Sequence, residues 1–194
     1  MIIQVRGTSG SGKSTAVTEW MKSRLWVPNF KTGRRKPLFY TTPKHKGLIV
    51  LGHYETVCGG CDTVGSAPAV YRALQDVNEI YPWHTAVTEG LLLSEDVKWT
   101  KQLLEDGHEV RALFLSTPTD QCLKRINQRR AEAGVTTPVK PHNTVNRQKA
   151  ISRARRVLTE ETKAVVRWVP SIRASNWIER WVIESLVSDS GKHY

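Results

Sequence analysis

Residues 7–14 of the chain read GTSGSGKS and match the pattern G-x-x-x-x-G-K-[ST] at every fixed position. The apolar run Ile2–Arg6 precedes them and the helical pattern of Thr15–Leu25 follows, which is the strand–turn–helix context that this motif requires. Glycines allow successive backbone N–H groups to point at one anion, and the following helix adds the positive end of its dipole. The sequence therefore predicts a loop that binds the phosphates of a nucleotide.

The side chains of this loop predict a triphosphate with a divalent cation. Lys13 can reach the β- and γ-phosphates, and the Ser14 hydroxyl is suited to hold magnesium. We therefore predict ATP and Mg2+ as cofactors. The predicted nucleotide-binding residues are Gly7, Thr8, Ser9, Gly10, Ser11, Gly12, Lys13, Ser14 and Thr15.

Apolar, strand-like runs alternate with helical patterns along the chain, which favours an α/β fold with a parallel β-sheet flanked by helices. No domain boundary is evident, so we predict one domain over residues 1–194. The predicted strands are Ile2–Arg6, a hairpin of Leu38–Thr42 and Leu48–Leu51, a strand that ends at Glu89, and Val110–Leu115. The other predicted segments are helices at Ala67–Ile80, Ser94–Asp106 (with Ser94 as N-cap), Thr119–Ala133 and Arg147–Trp168, and a polar connection at Val135–Asn146. The last segment, Ile172–Val187, is predicted as a closing helix or a strand followed by a helix.

Two carboxylates are candidates for chemistry beside the phosphates. Glu89 ends a predicted strand, and ligands bind at the carboxyl edge of a parallel sheet, so Glu89 is a candidate magnesium residue. Asp62 follows the strand Leu48–Leu51 in the loop CGGCDT, and we choose it as the general base for an acceptor hydroxyl. A solvated glutamate and a turn-capping aspartate are the ordinary alternatives at these positions.

Two arginines one helical turn apart favour a lid over the transferred phosphate. Arg125 and Arg129 lie on one face of a predicted helix. Guanidinium groups bind phosphate oxygens bidentately, so we assign both arginines a catalytic role. The predicted lid covers about residues 125–146, and a solvated basic face is the alternative.

The net charge of +11 exceeds what a triphosphate requires and favours a polyanionic partner. One basic cluster lies between residues 31 and 46, where aromatic residues are interleaved, and another lies between residues 147 and 156. Cations grip phosphates and rings stack on bases, so we predict DNA as a partner, with solvated faces as the alternative. The predicted DNA-binding residues are Arg34, Arg35, Lys36, Lys44, Arg153 and Arg156.

The three cysteines form no evident disulfide framework, and the sequence shows neither a signal peptide nor a membrane-spanning run. We therefore predict a cytoplasmic protein. Cys58 and Cys61 form a CxxC pair, for which a substrate loop is the default interpretation. A zinc site completed by His53 and Cys122, or a redox pair, are the alternatives.

Together, the loop Gly7–Ser14, the strand end Thr88-Glu89-Gly90 and the helix with Arg125 and Arg129 resemble the small P-loop kinases. That group includes nucleotide, polynucleotide and small-metabolite kinases. The resemblance implies a P-loop NTPase fold, nucleoside-kinase-like, with an arginine-bearing lid.

A narrower resemblance rests on Ile2–Thr15, Gly52-His53-Tyr54 and the loop CGGCDT, which look like bacteriophage 5-hydroxymethyluracil DNA kinases. Those enzymes phosphorylate the hydroxymethyl group of a modified thymine within DNA. The resemblance implies a phage enzyme in the host cytoplasm, with Asp62 as the base. The separation between Lys13 and Asp62 is longer than in polynucleotide kinases, which weakens a 5′-hydroxyl acceptor. A kinase of a free nucleotide or small metabolite, and a nucleic-acid-stimulated ATPase, are the alternatives.

Overall fold

A computed structural model of the chain describes residues 1–56 and 59–190. Within these residues, seven strands form one sheet in the order β2-β3-β4-β5-β1-β6-β7. In chain order the strands are β1 (Ile2–Arg6), β2 (Val27–Asn29), β3 (Phe39–Thr41), β4 (Leu48–Leu51), β5 (Thr85–Glu89), β6 (Val110–Leu115) and β7 (Val165–Val169).

Five neighbouring strands, from β4 through β5, β1 and β6 to β7, are parallel, as predicted. The predicted hairpin is confirmed, because β3 pairs antiparallel with β4. The edge strand β2, which contains Pro28 and pairs antiparallel with β3, was not predicted from the sequence. Proline lacks an N–H and is tolerated at a sheet edge, where one side of the strand needs no donor.

Helices cover both faces of the sheet, and the two cores follow from the alternation of side chains along each strand. In β1, Ile3 and Val5 join the core under the first and last helices of the chain, whereas Ile2 joins the core on the other face of the sheet. The helices are α1 (Lys13–Met21), α2 (Ala67–Ile80), α3 (Leu91–Ser94), α4 (Lys98–Glu105), α5 (Thr119–Glu132), α6 (Pro141–Glu161) and α7 (Ala174–Ser190). None of the helices in the described residues is both long enough and apolar enough to span a bilayer.

The predicted helix Arg147–Trp168 is wrong at both ends. Helix α6 begins with Pro141 in its first turn, where a missing N–H costs no helical hydrogen bond. The second half of the predicted polar connection Val135–Asn146 is therefore helical. The helix stops at Glu161, and the β-branched residues that follow pair with β6 as strand β7. The predicted helix Ser94–Asp106 is wrong at its start, because Ser94 ends α3 and α4 begins at Lys98.

Strand β1 lies between β5 and β6 at the centre of the sheet. After β1, the chain first forms the strands on one side of it, β2 to β5, and then the strands on the other side, β6 and β7. The order of the strands therefore reverses at β1. Such a point opens a crevice at the carboxyl edge, and ligands of open α/β sheets bind there. The fold thus brings the loop after β1, the end of β5 and the start of α5 to one place.

Candidate active site

A cleft of about 1010 Å³ opens at the carboxyl edge of the sheet. This volume is at the upper end of the range of ligand-binding pockets. The cleft collects all four predicted catalytic residues and both predicted magnesium residues. These are Lys13, Asp62, Arg125 and Arg129, with Ser14 and Glu89.

The phosphate loop (residues Gly7–Ser14) joins β1 to α1 with its backbone turned toward the cleft. Gly10 and Gly12 have φ angles of 74° and 98°, in the left-handed region that favours glycine. A Cβ at Gly10 would lie 2.5 Å from the carbonyl oxygen of Cys122 on α5, so this turn also requires the close approach. Gly12 caps α1 without a side chain, which leaves the first N–H groups of the helix open to an anion.

Lys13 is the first residue of α1 and is buried. Its Nζ donates hydrogen bonds to the carbonyl oxygens of Gly7 (2.8 Å) and Thr8 (3.1 Å). Burial lowers the pKa of Lys13, while the nearby carboxylates of Glu89 and Asp62 oppose that shift. The ammonium group is therefore folded over its own loop, and a bound phosphate would compete for it.

Ser14, in the first turn of α1, contacts Glu89 at the end of β5. The Ser14 Oγ donates a hydrogen bond of 2.8 Å to Glu89 Oε1. Glu89 is buried at the end of β5, and burial raises its pKa to about 7, against the opposing effects of Lys13 and the Ser14 hydroxyl. The pair supplies one hydroxyl and one carboxylate oxygen.

A magnesium ion fits this donor set. Mg2+ prefers oxygen ligands and keeps several waters when it is shared with nucleotide phosphates. The described residues contain no group of three or more His, Cys, Asp or Glu that would form an all-protein cage. If Mg2+ binds here, Ser14 and Glu89 would be its protein ligands, and phosphates and water would complete the site.

Asp62 sits in a short 3-10 helix, Cys61–Thr63, and lines the same cleft. Its carboxylate oxygens accept hydrogen bonds from the backbone N–H groups of Leu91 (3.0 Å) and Leu92 (3.2 Å) at the start of α3. The sequence left a cap and a base as alternatives for Asp62. The structure shows the capping contact and also places the carboxylate in the cleft, so the cap fixes where the carboxylate points.

Gly60 lies two residues before Asp62 and packs against Glu89, and the sequence analysis did not single it out. Its φ angle is 71°, and a Cβ on it would lie 2.0 Å from Glu89 Oε1. Gly60 also pairs with His53 in an isolated bridge, which folds the loop of residues 59–66, here called the acceptor loop, back over the end of β4. The Gly-Gly doublet at positions 59 and 60 was the available signal for this close approach.

Arg125 and Arg129 project from α5 into the cleft. The Arg125 Nη1 donates to the Gly10 carbonyl oxygen at 3.2 Å, which ties the predicted lid to the phosphate loop. Arg130 points away from the cleft, and its Nε donates to the carbonyl oxygen of Thr137. The pair at i and i+4 thus lies on one face, as the spacing predicted.

Two buried polar residues, Ser94 and Arg6, hold the phosphate loop in position, and neither was predicted to have a role at this site. The Ser94 Oγ accepts the N–H of Gly7 (2.9 Å) and donates to the Gly90 carbonyl oxygen (2.7 Å), so it links the phosphate loop to the end of β5. Arg6 is fully buried at the end of β1 and hydrogen-bonds Gln4, Thr100 and the Asp96 carbonyl oxygen. Burial lowers the pKa of Arg6 to about 10. An arginine inside an apolar strand was the signal for such a role.

The structure separates the first predicted basic cluster into two groups. Residues 30–37, here called the basic loop, connect β2 to β3 at the carboxyl edge, and the Arg34 Nη2 donates to the Thr63 carbonyl oxygen at 3.2 Å. Lys44 and Lys46 lie in the turn between β3 and β4, where Gly47 accepts the N–H groups of His84 and Thr85 at the start of β5. That turn is at the opposite edge of the sheet.

The second predicted cluster lies on α6, beside β7 at the far end of the sheet from β2. Arg153 and Arg156 are exposed there. Their neighbour Arg155 places its guanidinium 4.6 Å from the centre of the Trp168 ring. The DNA-binding residues predicted from the sequence therefore do not form one surface.

The cysteine prediction is only partly within the described residues. Cys58 lies outside them. Cys61 is buried and its Sγ contacts the Leu51 carbonyl oxygen, while burial raises its thiol pKa well above the usual range. Cys122 is buried on α5. The described residues thus give no support to a zinc site at His53, Cys61 and Cys122.

Comparison with known proteins places the chain in a family. No family model matches it. It is 38% identical over 152 residues to a 5-hmdU DNA kinase of Pseudomonas phage PaMx11. The aligned region covers 74% of this chain and 77% of the relative. It is 28% identical over 180 residues to a protein of that name from Pseudomonas phage M6, with 88% and 93% covered. A third, from Delftia phage PhiW-14, is 26% identical, and the match spans 58% of its length. The chain belongs to the phage 5-hmdU DNA kinase family.

Proposed function

We infer that the protein transfers the γ-phosphate of ATP to the hydroxymethyl oxygen of 5-hydroxymethyluracil in DNA. The observation that carries the inference is one cleft that is lined both by the phosphate loop and by Asp62. The relatives' shared name supports the choice of acceptor. The loop, its position after a central parallel strand and the arginines of α5 support a P-loop NTPase fold of the nucleoside-kinase type.

The donor side of the cleft matches a bound triphosphate. Backbone N–H groups of the phosphate loop and the start of α1 would hold phosphate oxygens, with the Lys13 ammonium beside the β- and γ-phosphates. Ser14 and Glu89 would hold Mg2+, which offsets phosphate charge when it is bound. Arg125 and Arg129 face the same space from α5 and are suited to the charge on the transferring group.

On the acceptor side, Asp62 is the proposed general base. Its two backbone hydrogen bonds hold the carboxylate at the cleft wall while leaving lone pairs for a substrate hydroxyl. The acceptor O–H would give its proton to Asp62 as its oxygen bonds to the γ-phosphorus. The bond between that phosphorus and the β,γ-bridging oxygen breaks, and ADP leaves with the bond's electron pair.

DNA binding follows from the charge next to the acceptor loop. Arg34, Arg35 and Lys36 lie in the basic loop, and Arg34 touches the residue that follows Asp62. Cations at this place would grip phosphates that flank the target nucleotide. Arg153 and Arg156 lie elsewhere on the surface and would contact only more distant parts of a duplex, and Lys44, at the opposite edge of the sheet, would contact none. A phage enzyme with this substrate would work on DNA in the host cytoplasm.

A labelling experiment tests the proposal. The protein is incubated with Mg2+, γ-labelled ATP and matched duplexes that carry either thymine or one 5-hydroxymethyluracil, with free 5-hydroxymethyl-dUMP as a third acceptor. We expect label on the modified duplex alone. Label on the free nucleotide and none on DNA would instead establish a nucleotide kinase. ATP hydrolysis that DNA stimulates without a labelled acceptor would establish an ATPase.

A further inference from the structure

We propose that Phe30 is the side chain that enters the duplex where the target nucleotide is flipped out, a step that rests on the proposed function. A hydroxymethyl group on a stacked base cannot reach a cleft in the protein, so the nucleotide must leave the helix. Proteins that open duplexes often insert an apolar side chain into the stack. The question is which side chain of this protein is placed to do so.

Exposure reduces the choice to two aromatic residues. Among the Phe, Trp and Tyr side chains in residues 1–56 and 59–188, only Phe30 (57% exposed) and Trp168 (61% exposed) are classed as exposed. Trp168 is on β7 at the far end of the sheet, and one face of its ring is covered by the Arg155 guanidinium. Within the same residues, Phe30 pairs with no other ring and with no cation. Its face is free to stack.

The strand register places Phe30 at the edge of the sheet that holds the cleft. Phe39 lies opposite both Leu51, the last residue of β4, and Asn29, the last residue of β2. Phe30 follows Asn29 directly, so it leaves the sheet at the carboxyl edge, two strands away from β4. The cleft lies beyond the ends of β5 and β1, which are three and four strand spacings from β2, about 14 and 19 Å. A duplex is wide enough to span this distance.

The cations around Phe30 match a strand that runs past the cleft. Lys31, Arg34, Arg35 and Lys36 follow it within six residues. Arg34 anchors the basic loop to the Thr63 carbonyl oxygen, and Thr63 follows Asp62. Arg35 and Lys36 are exposed. Lys31 forms an ion pair with Asp76, which leaves Arg35 and Lys36 for DNA. An exposed ring beside two exposed cations, in a loop tied to the residue after the proposed base, is the arrangement expected of a wedge beside a flipped nucleotide.

The proposal assigns the two parts of the basic loop different tasks. Arg35 and Lys36 hold flanking phosphates in any DNA. Phe30 is needed only when the target base is paired and stacked, because a single strand has no neighbouring pair to hold open. Truncation of Phe30 should therefore affect duplex and single-stranded acceptors differently, whereas a loss of structure would affect both.

The test compares wild-type protein with Phe30→Ala, Phe30→Trp and Ile80→Ala. Ile80 is an exposed apolar residue (75%) at the end of α2 and serves as the matched control. Phosphate transfer is measured to a duplex with one 5-hydroxymethyluracil paired with adenine and to the same sequence as a single strand. A 2-aminopurine next to the target reports unstacking by its fluorescence, without any need for transfer.

We expect Phe30→Ala to lower kcat/KM on the paired duplex by about 10-fold or more, since opening a stacked pair costs a few kcal/mol. Transfer to the single strand should stay within about 2-fold. The fluorescence rise on binding should be lost in Phe30→Ala and kept in Phe30→Trp and Ile80→Ala. Equal losses on both acceptors, or an unchanged fluorescence rise in Phe30→Ala, would overturn the proposal.

Failure of the proposed function gives a different pattern. If wild-type protein labels no DNA, the acceptor assignment is wrong, yet the 2-aminopurine signal still decides the role of Phe30. A rise in wild-type protein that Phe30→Ala abolishes supports a duplex-opening wedge in a protein with another acceptor. No rise in wild-type protein, or one that survives the substitution, refutes the wedge.

Discussion

We call the part of the cleft formed by the phosphate loop the donor wall, and the part formed by Asp62 and the acceptor loop the acceptor wall. The two walls are held by different kinds of contact. On the donor wall, the phosphate loop, Lys13 and Ser14 are consecutive in sequence, and Lys13 hydrogen-bonds its own loop. On the acceptor wall, Asp62 depends on backbone N–H groups of α3, about 30 residues further along the chain. Local geometry therefore builds the phosphate loop, which Glu89 and Arg125 join from other elements, whereas tertiary packing fixes the Asp62 carboxylate itself.

This difference teaches where substitutions should act on chemistry alone and where they should act on structure as well. A change on the donor wall removes one group from a backbone scaffold that stays intact. A change on the acceptor wall also disturbs the contacts between the acceptor loop, β5 and α3. The predictions below test this division, beginning with the largest expected effect.

Lys13→Ala should lower phosphate transfer by at least about 10³-fold, because a cation preorganised at the γ-phosphate is lost. The measurement is the initial rate of labelling at saturating ATP, with circular dichroism to verify the fold. Lys22→Ala, at the end of the same helix, removes an exposed lysine and should leave the rate unchanged. A Lys13→Ala protein with more than a tenth of the wild-type rate would contradict the assigned role.

Asp62→Asn should lower kcat by about 10²- to 10⁴-fold with little change in ATP affinity, because the amide cannot accept the proton. Its oxygen still accepts one backbone N–H of α3, so the unfolding free energy should fall by no more than about 1 kcal/mol. Glu79→Gln, at an exposed position of α2, is the control. Near-normal activity in Asp62→Asn would leave Asp62 with the cap alone.

Lys13 and Asp62 also show how much of the site can be predicted from the sequence. The phosphate loop was predictable residue by residue, because its function needs a fixed local backbone that leaves a strict pattern. Arg125 and Arg129 were predictable from helical periodicity. The position of Asp62 in the cleft was a choice between two interpretations, since both of its partners belong to α3, and no local pattern specifies a contact across that distance.

The errors in the predicted fold have the same origin. The segment Val165–Val169 continued a helical pattern, but pairing with β6 fixes it as a strand. Ser94 was assigned as a cap from its type alone, whereas its hydroxyl joins Gly7 to Gly90 across two strand ends. In each case a partner distant in sequence decides the local structure. The split of the basic cluster has this cause too, because the hairpin carries Lys44 to the opposite edge from Arg34.

Gly60→Ala should destabilise the acceptor wall more than Gly65→Ala does. Both glycines have positive φ angles, 71° and 115°, so alanine costs about 1–3 kcal/mol of strain at either position. Gly65 has open space around it, whereas a Cβ at Gly60 would meet the Glu89 carboxylate. We expect an extra loss of about 1–3 kcal/mol for Gly60→Ala in chemical denaturation. Equal losses in the two variants would show that the contact with Glu89 is unimportant.

The stability of the ligand-free protein should fall as the pH rises from about 4.5 to about 7. Burial raises the pKa of Glu89 from 4.5 to about 7, so the folded chain binds more protons than the unfolded chain in this window. The contribution is fully present below the lower value and is lost above the higher one, and it amounts to about 3 kcal/mol.

Glu89→Gln should remove this dependence, and it is measured by denaturation at a series of pH values. The variant should match wild-type protein near pH 4.5 and be more stable at pH 8, although transfer activity falls because a magnesium ligand is lost. Glu105→Gln, at an exposed position of α4, should keep the wild-type profile. Parallel profiles for wild-type and Glu89→Gln proteins would mean that Glu89 is already ionised in the folded chain.

The smallest expected effect concerns the salt dependence of DNA binding, and it extends the comparison to the surface around the cleft. Each phosphate contact contributes about 1 to the slope of log affinity against log salt concentration. Arg35→Ala with Lys36→Ala should lower that slope by about 2, because both residues lie in the basic loop beside the acceptor wall. Lys44→Ala with Lys46→Ala removes the same charge from the opposite edge and should leave the slope unchanged. Arg153→Ala with Arg156→Ala, on α6, should lower it by less than about 1. Equal decreases for all three pairs would mean that net charge, rather than the place of the basic loop next to Asp62, determines how the protein holds DNA.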